Sequence, residues 1–268
     1  MKVHPTAQLL GEVRLGEGVE VGPYAILDGR LGPVEIGEGT LVYGNVWIQG
    51  PTFMGRENIV YPFASIGGGP QDLEYKLEPT EIYIGDRNVI REYVTINKGS
   101  TKDKGKTTIG NDNYFMAYSH IAHDCRIGNH VIFTNGASIA GHVEVHDYAI
   151  LSAFVGVQQF SRIGAHAFVG GYSAVNQDVL PYAKVVGLRP LVVVGVNTVG
   201  LSRRGFTREQ IRAIDRAFKI LLRSDLLLEE AIKKIEEELG DREEIKVLLD
   251  FLKTVDPRRG FHRKLRRK

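Results

Sequence analysis

His123 and Asp124 are adjacent, Gly141 and His142 form a second such pair, and Gln159 follows Gly141 at the interval that separates Gly141 from His123. An imidazole, a carboxylate, a residue without a side chain and an amide on one spacing are the parts of a general-base site. A neutral imidazole accepts a hydroxyl proton because its ordinary pKa of ~6.5 lies near working pH, and a neighbouring carboxylate orients it. A glycine lets its own backbone N–H approach a developing oxyanion. One turn histidine is ordinarily a solvated surface residue. Two in neighbouring pairs that recur at this interval, beside a carboxylate and a glycine, are what a site needs.

The spacing has chemical meaning only if that interval returns the chain to the same place, and the hydrophobic pattern says that it does. Twelve hexads run unbroken through residues 109–180, each opening on a large apolar residue from Ile109, Phe115 and Ile121 to Val175. The fourth place after each is small or β-branched, as at Asn113, Ser119, Cys125 and Val131. At 43% apolar composition, twelve hits by chance have a probability of roughly 4 × 10⁻⁵. A period of six fits neither a helix nor a single strand, but it fits a parallel β-helix of short strands and tight turns. Three hexads close one coil, so His123, Gly141 and Gln159, three hexads apart in turn, stack ~4.8 Å from one to the next. The same frame runs from Val3 to Leu27, slips by half a hexad, and resumes at Ile36. Two excursions interrupt it, at about 67–80 and 97–107, where Gly, Pro and charges replace the apolar repeat.

A β-helix exposes strand edges at its ends and needs a cap. Thr207 with Gln210 reads as a capping box opening an amphipathic helix through Ile211, Ile214 and Phe218. Two more helices are expected at about 225–239 and 242–254, with Gly240 as a C-cap and Asp241 with Glu244 as a further capping box. The expected organisation is a β-helical domain over residues 1–204 and an α-helical region with a basic tail over 205–268. Residues 258–268 carry seven basic residues and no acid, while the chain's net charge is only +2. That tail suits an acidic partner or, at most, peripheral contact with an anionic membrane. Aromatic-interleaved basic patches are missing, which speaks against nucleic acid as a partner. The first residues carry no signal-peptide pattern and the single cysteine, Cys125, has no disulfide partner in the chain, so a cytoplasmic protein is expected.

Two other classes stay open on the residues alone. Histidine pairs such as His142 with His146 or His120 with His123 could ligate zinc, as in a β-helix enzyme of the γ-carbonic-anhydrase type, although no Cys-rich or HExxH pattern accompanies them. A scaffold without activity is the third, but a scaffold has no need to stack histidine, carboxylate and glycine. The run Gly67-Gly68-Gly69-Pro70 lacks the Lys-Ser/Thr of a phosphate loop and reads as a loop entry.

Several longer motifs point further. HIAHDC (120–125), ASIAGHV (137–143), IGAHAFVGG (163–171), QDLEY (71–75), IGDRNVIRE (84–92), and GVN with LSRRGF in 195–206 resemble the UDP-N-acetylglucosamine O-acyltransferases that open lipid A biosynthesis. The resemblance spans nearly the whole chain. It implies a left-handed parallel β-helix, against the general right-handed crossover preference, and a homotrimer with active sites between subunits. The implied reaction moves an R-3-hydroxyacyl chain from acyl carrier protein to the 3-hydroxyl of UDP-N-acetylglucosamine, with no cofactor and no metal. By resemblance His123 is the general base, Asp124 its neighbour and Gly141 the oxyanion donor. Gln71, Asp72, His120, His142, Gln159, Asn197 and Arg204 match substrate-binding positions, and Phe168 and Gly171 match positions lining the acyl channel. Three places depart from the family's pattern. Glu74 replaces a lysine, for which Lys76 could substitute; Gln158 replaces a histidine; Val199 replaces an acid. A 3-amino sugar acceptor therefore stays open, as does acyl length.

Overall fold

The computed structural model describes residues 1–263, so residues 264–268 of the basic tail lie outside the described residues. The chain winds as a parallel β-helix, with one face an 11-stranded sheet and the other two faces parts of a 15-stranded sheet. Most strands are two residues long, with the first half-exposed and the second buried, as in His120–Ile121, Ser138–Ile139 and Arg126–Ile127. Such short strands suffice because each pairs in register with the coil above and the coil below: Tyr114 with Ile132, His120 with Ser138, Arg126 with Glu144. The inward residues stack into a dry core in which Ile121, Phe133, Ile139 and Leu151 are fully buried. Buried Asn58, Asn88 and Asn113 form a ladder, each side-chain oxygen accepting the backbone N–H of the next coil at 2.7–3.0 Å. Buried polar groups require such partners.

The interruptions fall where the repeat fails. The slip in the frame lies inside the long strand Ile26–Ile36, which passes from one face to the next and pairs Leu27 with Ile48 and Ile36 with Met54. Across the two excursions the partner offset is longer than three hexads, with Ser65 opposite Thr95 and Thr95 opposite His120. Most corners are turned by a residue in the left-handed region, and along the unbroken run these recur at hexad intervals: Tyr118, Asp124, His130, then His142, Tyr148, Phe154, Phe160 and His166. A residue with a Cβ holds that conformation only where its surroundings enforce it, at a cost of ~1 kcal/mol or more. The corners therefore become columns of side chains in fixed directions, and stacked aromatics fill them, as in Tyr93 on Tyr118 and Tyr148 on His166.

The coil ends in Ala183–Val186, against which Val192–Val196 turns back antiparallel. Four helices follow: α1 (Thr198–Arg203), α2 (Arg208–Arg223), α3 (Leu228–Leu239) and α4 (Glu243–Lys253). The Thr207 box is present, with Gln210 N–H donating to Thr207 Oγ1 and Thr207 N–H donating to Gln210 Oε1. The box expected at Asp241 and Glu244 is not: α4 starts later, with Arg242 as N-cap, and Glu244 is buried in its first turn instead of reaching back. Helix α1 is too short, at less than two turns, to leave a periodic signal. Ile214, Phe218, Ile235, Leu248 and Leu252 join the same core as the last coils. After α4 the chain returns to the β-helix, where Gly260 and His262 exchange backbone hydrogen bonds with Asp178. No helix among the described residues is long and apolar enough to cross a membrane.

Candidate active site

His123 and Asp124 turn one corner, and the next coil lays Gly141 and His142 over them: His142 N–H donates to His123 O at 3.1 Å, and Phe160 N–H to Gly141 O at 3.1 Å. Three stacked turns thus place His123, Gly141 and Gln159 in one column and Asp124, His142 and Phe160 in the next. Asp124 is fully buried and its carboxylate is heavily engaged. It accepts from His123 Nδ1 at 2.7 Å, from Ser100 N–H at 2.8 Å and from Ser100 Oγ at 2.6 Å. Burial works to raise its pKa, but the hydrogen bonds from His123 and Ser100 outweigh it and hold the carboxyl below its ordinary value. An ionised Asp124 fixes the proton of His123 on Nδ1, which leaves the Nε2 lone pair free.

The free nitrogen faces the next coil. A Cβ on Gly141 would lie 2.5 Å from His123 Cε1 and 2.7 Å from Nε2, so the imidazole occupies the space that any side chain at 141 would fill. Among the described residues no hydrogen bond takes the Gly141 N–H. His123 and Gly141 open on a cleft of about 860 Å³, which Gln71, His120, Gln158, Gln159 and Arg189 also line. His120 is fixed by Thr95, Nδ1 to Oγ1 at 2.7 Å, and burial holds its pKa below the ordinary imidazole value. His142 stands edge-on to His123, with ring centroids 5.2 Å apart, and stacks on Phe160 at 4.4 Å. Burial, against the pull of Asp124, lowers its pKa as well, so at both flanking histidines burial favours the neutral imidazole.

The first excursion brings Gln71 and Asp72 to the same corner. Lys102 Nζ, from the second excursion, lies 2.7 Å from both Asp72 Oδ2 and Glu74 Oε2. The cation paired with Glu74 is Lys102, while the Lys76 backbone N–H donates to Glu78. Asp72 and His142 stand beside this cleft without lining it, and His142 faces a second cavity with Lys102, Arg126 and Phe160. Four further residues named from the sequence lie away from the cleft within one chain. Asn197 caps α1 and donates to His166 O, and Arg204 lies over the ring of Tyr148, in the corner column of His130, Tyr148 and His166. Phe168 sits on the 11-stranded face beneath Lys184, and Gly171 lies by Ala153 at a third corner.

The residues that hold the site had no signal of their own. Ser100 braces the Asp124 carboxylate and Thr107 Oγ1 accepts the Asp124 N–H, yet both read as loop in the sequence. The nearest signal was the excursion at 97–107, whose end falls about one coil before Asp124. The metal-ligand pairs suggested by spacing also change. His123, Asp124 and His142 present ligand atoms within 4.8 Å of one another, whereas His146 lies against Phe251 and His120 is bonded to Thr95. Cys125, beside the site in sequence, points into the core, where burial pushes its thiol up to about 12. A thiol that stays protonated is no nucleophile.

Comparison with known proteins agrees with this architecture. Residues 106–141 match the bacterial transferase hexapeptide family (six repeats), and residues 178–262 match UDP N-acetylglucosamine O-acyltransferase, domain 2. The acyl-[acyl-carrier-protein]–UDP-N-acetylglucosamine O-acyltransferase of Halorhodospira halophila is 47% identical over 94% of this chain and 96% of its own length. That of Thermodesulfovibrio yellowstonii is 46% identical over 94% and 96%. Among solved structures, the UDP-N-acetylglucosamine acyltransferase of Francisella novicida superposes with a TM-score of 0.93 at 38% identity, covering 98% of this chain and 94% of that one. The Campylobacter jejuni enzyme gives 0.90 at 33% identity, covering 99% and 100%. With a parallel hexapeptide β-helix and relatives this similar along nearly its full length, the chain is an acyltransferase and belongs to the UDP-N-acetylglucosamine O-acyltransferase family.

Proposed function

We propose that this chain transfers an R-3-hydroxyacyl group from the thioester of acyl carrier protein to the 3-hydroxyl of UDP-N-acetylglucosamine, the first step of lipid A biosynthesis, in the cytoplasm. The names of its close relatives carry both substrates. The observation that carries the mechanism is the His123 imidazole lying against the Gly141 backbone of the adjacent coil, where no hydrogen bond among the described residues takes the Gly141 N–H. His123 Nε2 takes the hydroxyl proton as the sugar oxygen attacks the thioester carbon, and the Gly141 N–H meets the oxyanion of the tetrahedral intermediate. Collapse breaks the C–S bond, and the imidazolium returns its proton to the departing thiolate. Asp124 holds the imidazole's tautomer and balances the imidazolium charge. No cofactor takes part.

Gln71, Asp72, His120, His142 and Gln159 bind substrate around this pair. Asn197 and Arg204 complete the site from a neighbouring copy in a homotrimer, and Phe168 and Gly171 line the acyl channel. Their location away from the His123 cleft, with Arg204 and Gly171 at other corners, Phe168 on the 11-stranded face and Asn197 at the start of α1, supports this division. Residues 1–204 form the transferase domain. The region 205–268, with Arg203 and Arg204 just before it and Arg208, Arg212 and Arg216 at its start, receives the acidic carrier protein. Purified protein given a mixture of hydroxyacyl chain lengths with UDP-N-acetylglucosamine and its 3-amino analogue should yield the 3-O-acyl product by mass spectrometry. Transfer only to the amine would move the assignment to an N-acyltransferase, and transfer to neither would end it. The clustering of His123, Asp124 and His142 gives a zinc reading one specific support, although Asp124 Oδ2 is already engaged by His123 and Ser100. Turnover that survives exhaustive chelation removes that reading.

A further inference from the structure

The loop that carries Gln71 and Asp72 has an exposed tip, with Leu73 fully exposed and Leu77 largely so. Its base is held by the second excursion. Asn97 Nδ2 donates to Gly69 O at 2.9 Å, and Lys98 N–H donates to Gly68 O at 3.0 Å. The tip is held differently. Lys102 Nζ bridges Asp72 and Glu74, and the Glu74 N–H donates to the other oxygen of Asp72 at 3.0 Å. The Lys102 backbone N–H in turn donates to Ser100 Oγ at 3.3 Å, and that hydroxyl donates to Asp124. Hydrogen bonds therefore link the imidazole of His123 through Asp124 and Ser100 to the Lys102 backbone, and the Lys102 side chain carries the link on to the carboxylate of Asp72. The excursion at 97–107 ties the base to the loop on the far side of the cleft.

We propose that Lys102 is a positioning residue for the acceptor: by bridging Asp72 and Glu74 it fixes the Gln71–Asp72 loop against the His123 corner and so sets how tightly the sugar nucleotide is held. This rests on the reading of the site given above. The bridge is half-exposed, and ion pairs of that kind add little to folding stability, so its geometric consistency with the base points to substrate placement. Ser100 braces Asp124 through its own N–H and hydroxyl, and loss of the Lys102 side chain leaves both bonds in place. The base therefore survives the substitution while the loop is released.

The test is steady-state kinetics on the purified full-length protein, with UDP-N-acetylglucosamine and acyl carrier protein thioester varied separately. Lys102→Met, which keeps the length and removes the charge, should raise KM for the sugar nucleotide about tenfold, the effect of one charge-assisted hydrogen bond at a half-exposed site. Turnover and KM for the carrier thioester should stay near their starting values, the pattern of lost ground-state binding, and the melting temperature should not move. Lys102→Arg should recover most of the affinity, and so should the paired exchange Glu74→Lys with Lys102→Glu, which returns a cation to Asp72. An unchanged KM in Lys102→Met, or equal rises in both KM values with a lowered melting temperature, would overturn the assignment. Absence of transfer by the unaltered protein would instead overturn the proposed function, and this inference with it.

Discussion

Gly141→Ala is the most discriminating change available, because the structure separates its effects. Its backbone lies outside the left-handed region, so alanine meets no conformational strain there, and loss of a glycine lowers the entropy of the unfolded chain. The backbone N–H remains, and with it the proposed oxyanion donor. What changes is space: the new Cβ would lie 2.5 Å from His123 Cε1, where ordinary contact begins at 3.4 Å. The imidazole must withdraw by about 0.9 Å, and a displacement of ~1 Å at a reacting group costs about 10²-fold in rate. Turnover should therefore fall about a hundredfold while melting temperature and both KM values hold. In a His123→Ala background the same substitution should cost little further, since the two act through one imidazole. The assay is product formation from hydroxyacyl carrier protein and UDP-N-acetylglucosamine under saturating conditions. A Gly141→Ala variant with near-native turnover would show that the base is not fixed against the adjacent coil, and the proposed geometry would fail.

Removal of the base itself by His123→Ala should lower kcat by about 10²–10⁴-fold with the coil intact; a folded variant with native turnover would remove His123 from the reaction. Cys125→Ala should stay active, since the thiol is buried, held up near 12 and bonded to Ala140 O; a folded but dead variant would revive a covalent route. Burial holds His166 and His262 down to about 4, against ~6.5 for a free imidazole. The unfolded chain binds more protons between those values, so stability is full above pH ~6.5, is lost as pH falls towards 4, and levels off below that. His262, with 5% exposure, accounts for about 2–3 kcal/mol of the loss. Thermal melts at pH 7 and pH 5 should show the fall, and His262→Gln should lessen it; equal melting temperatures at the two pH values would refute the assignment.

The period of six was legible because an inward residue recurs at every strand, and each error dilutes only one rung. Ile121, Ile139 and Val157 declare their neighbours by arithmetic, and so His123, Gly141 and Gln159 could be stacked before any coordinates. The arithmetic stops where the chain leaves the coil. Nothing in the spacing of 97–107 says that Ser100 reaches Asp124 or that Lys102 reaches Asp72, because loop conformation follows from those contacts and does not precede them. Asp241 failed as a cap for a similar reason. A capping box depends on which residue the core leaves outside, and packing of Glu244 moved the helix start by one place. Asn197 and Arg204 stand apart from the cleft within one chain, and the homotrimer proposed above is what would bring them to it, since contacts between copies leave no periodicity within one chain.

The coil accounts for why the proposed general base and the proposed oxyanion donor share one column. In acyl transfer the base touches the attacking oxygen and the donor touches the carbonyl oxygen, and both oxygens are bonded to the same carbon in the intermediate. The two protein groups must therefore lie a few ångströms apart with the reacting carbon beside them. Neighbouring strands of a sheet are ~4.8 Å apart, so adjacent rungs supply that separation directly, with no loop required to adjust it. His123 on one rung then needs an unobstructed amide on the next. Any side chain at 141 would occupy the volume of the imidazole, so glycine at that position is a condition of His123 being the base.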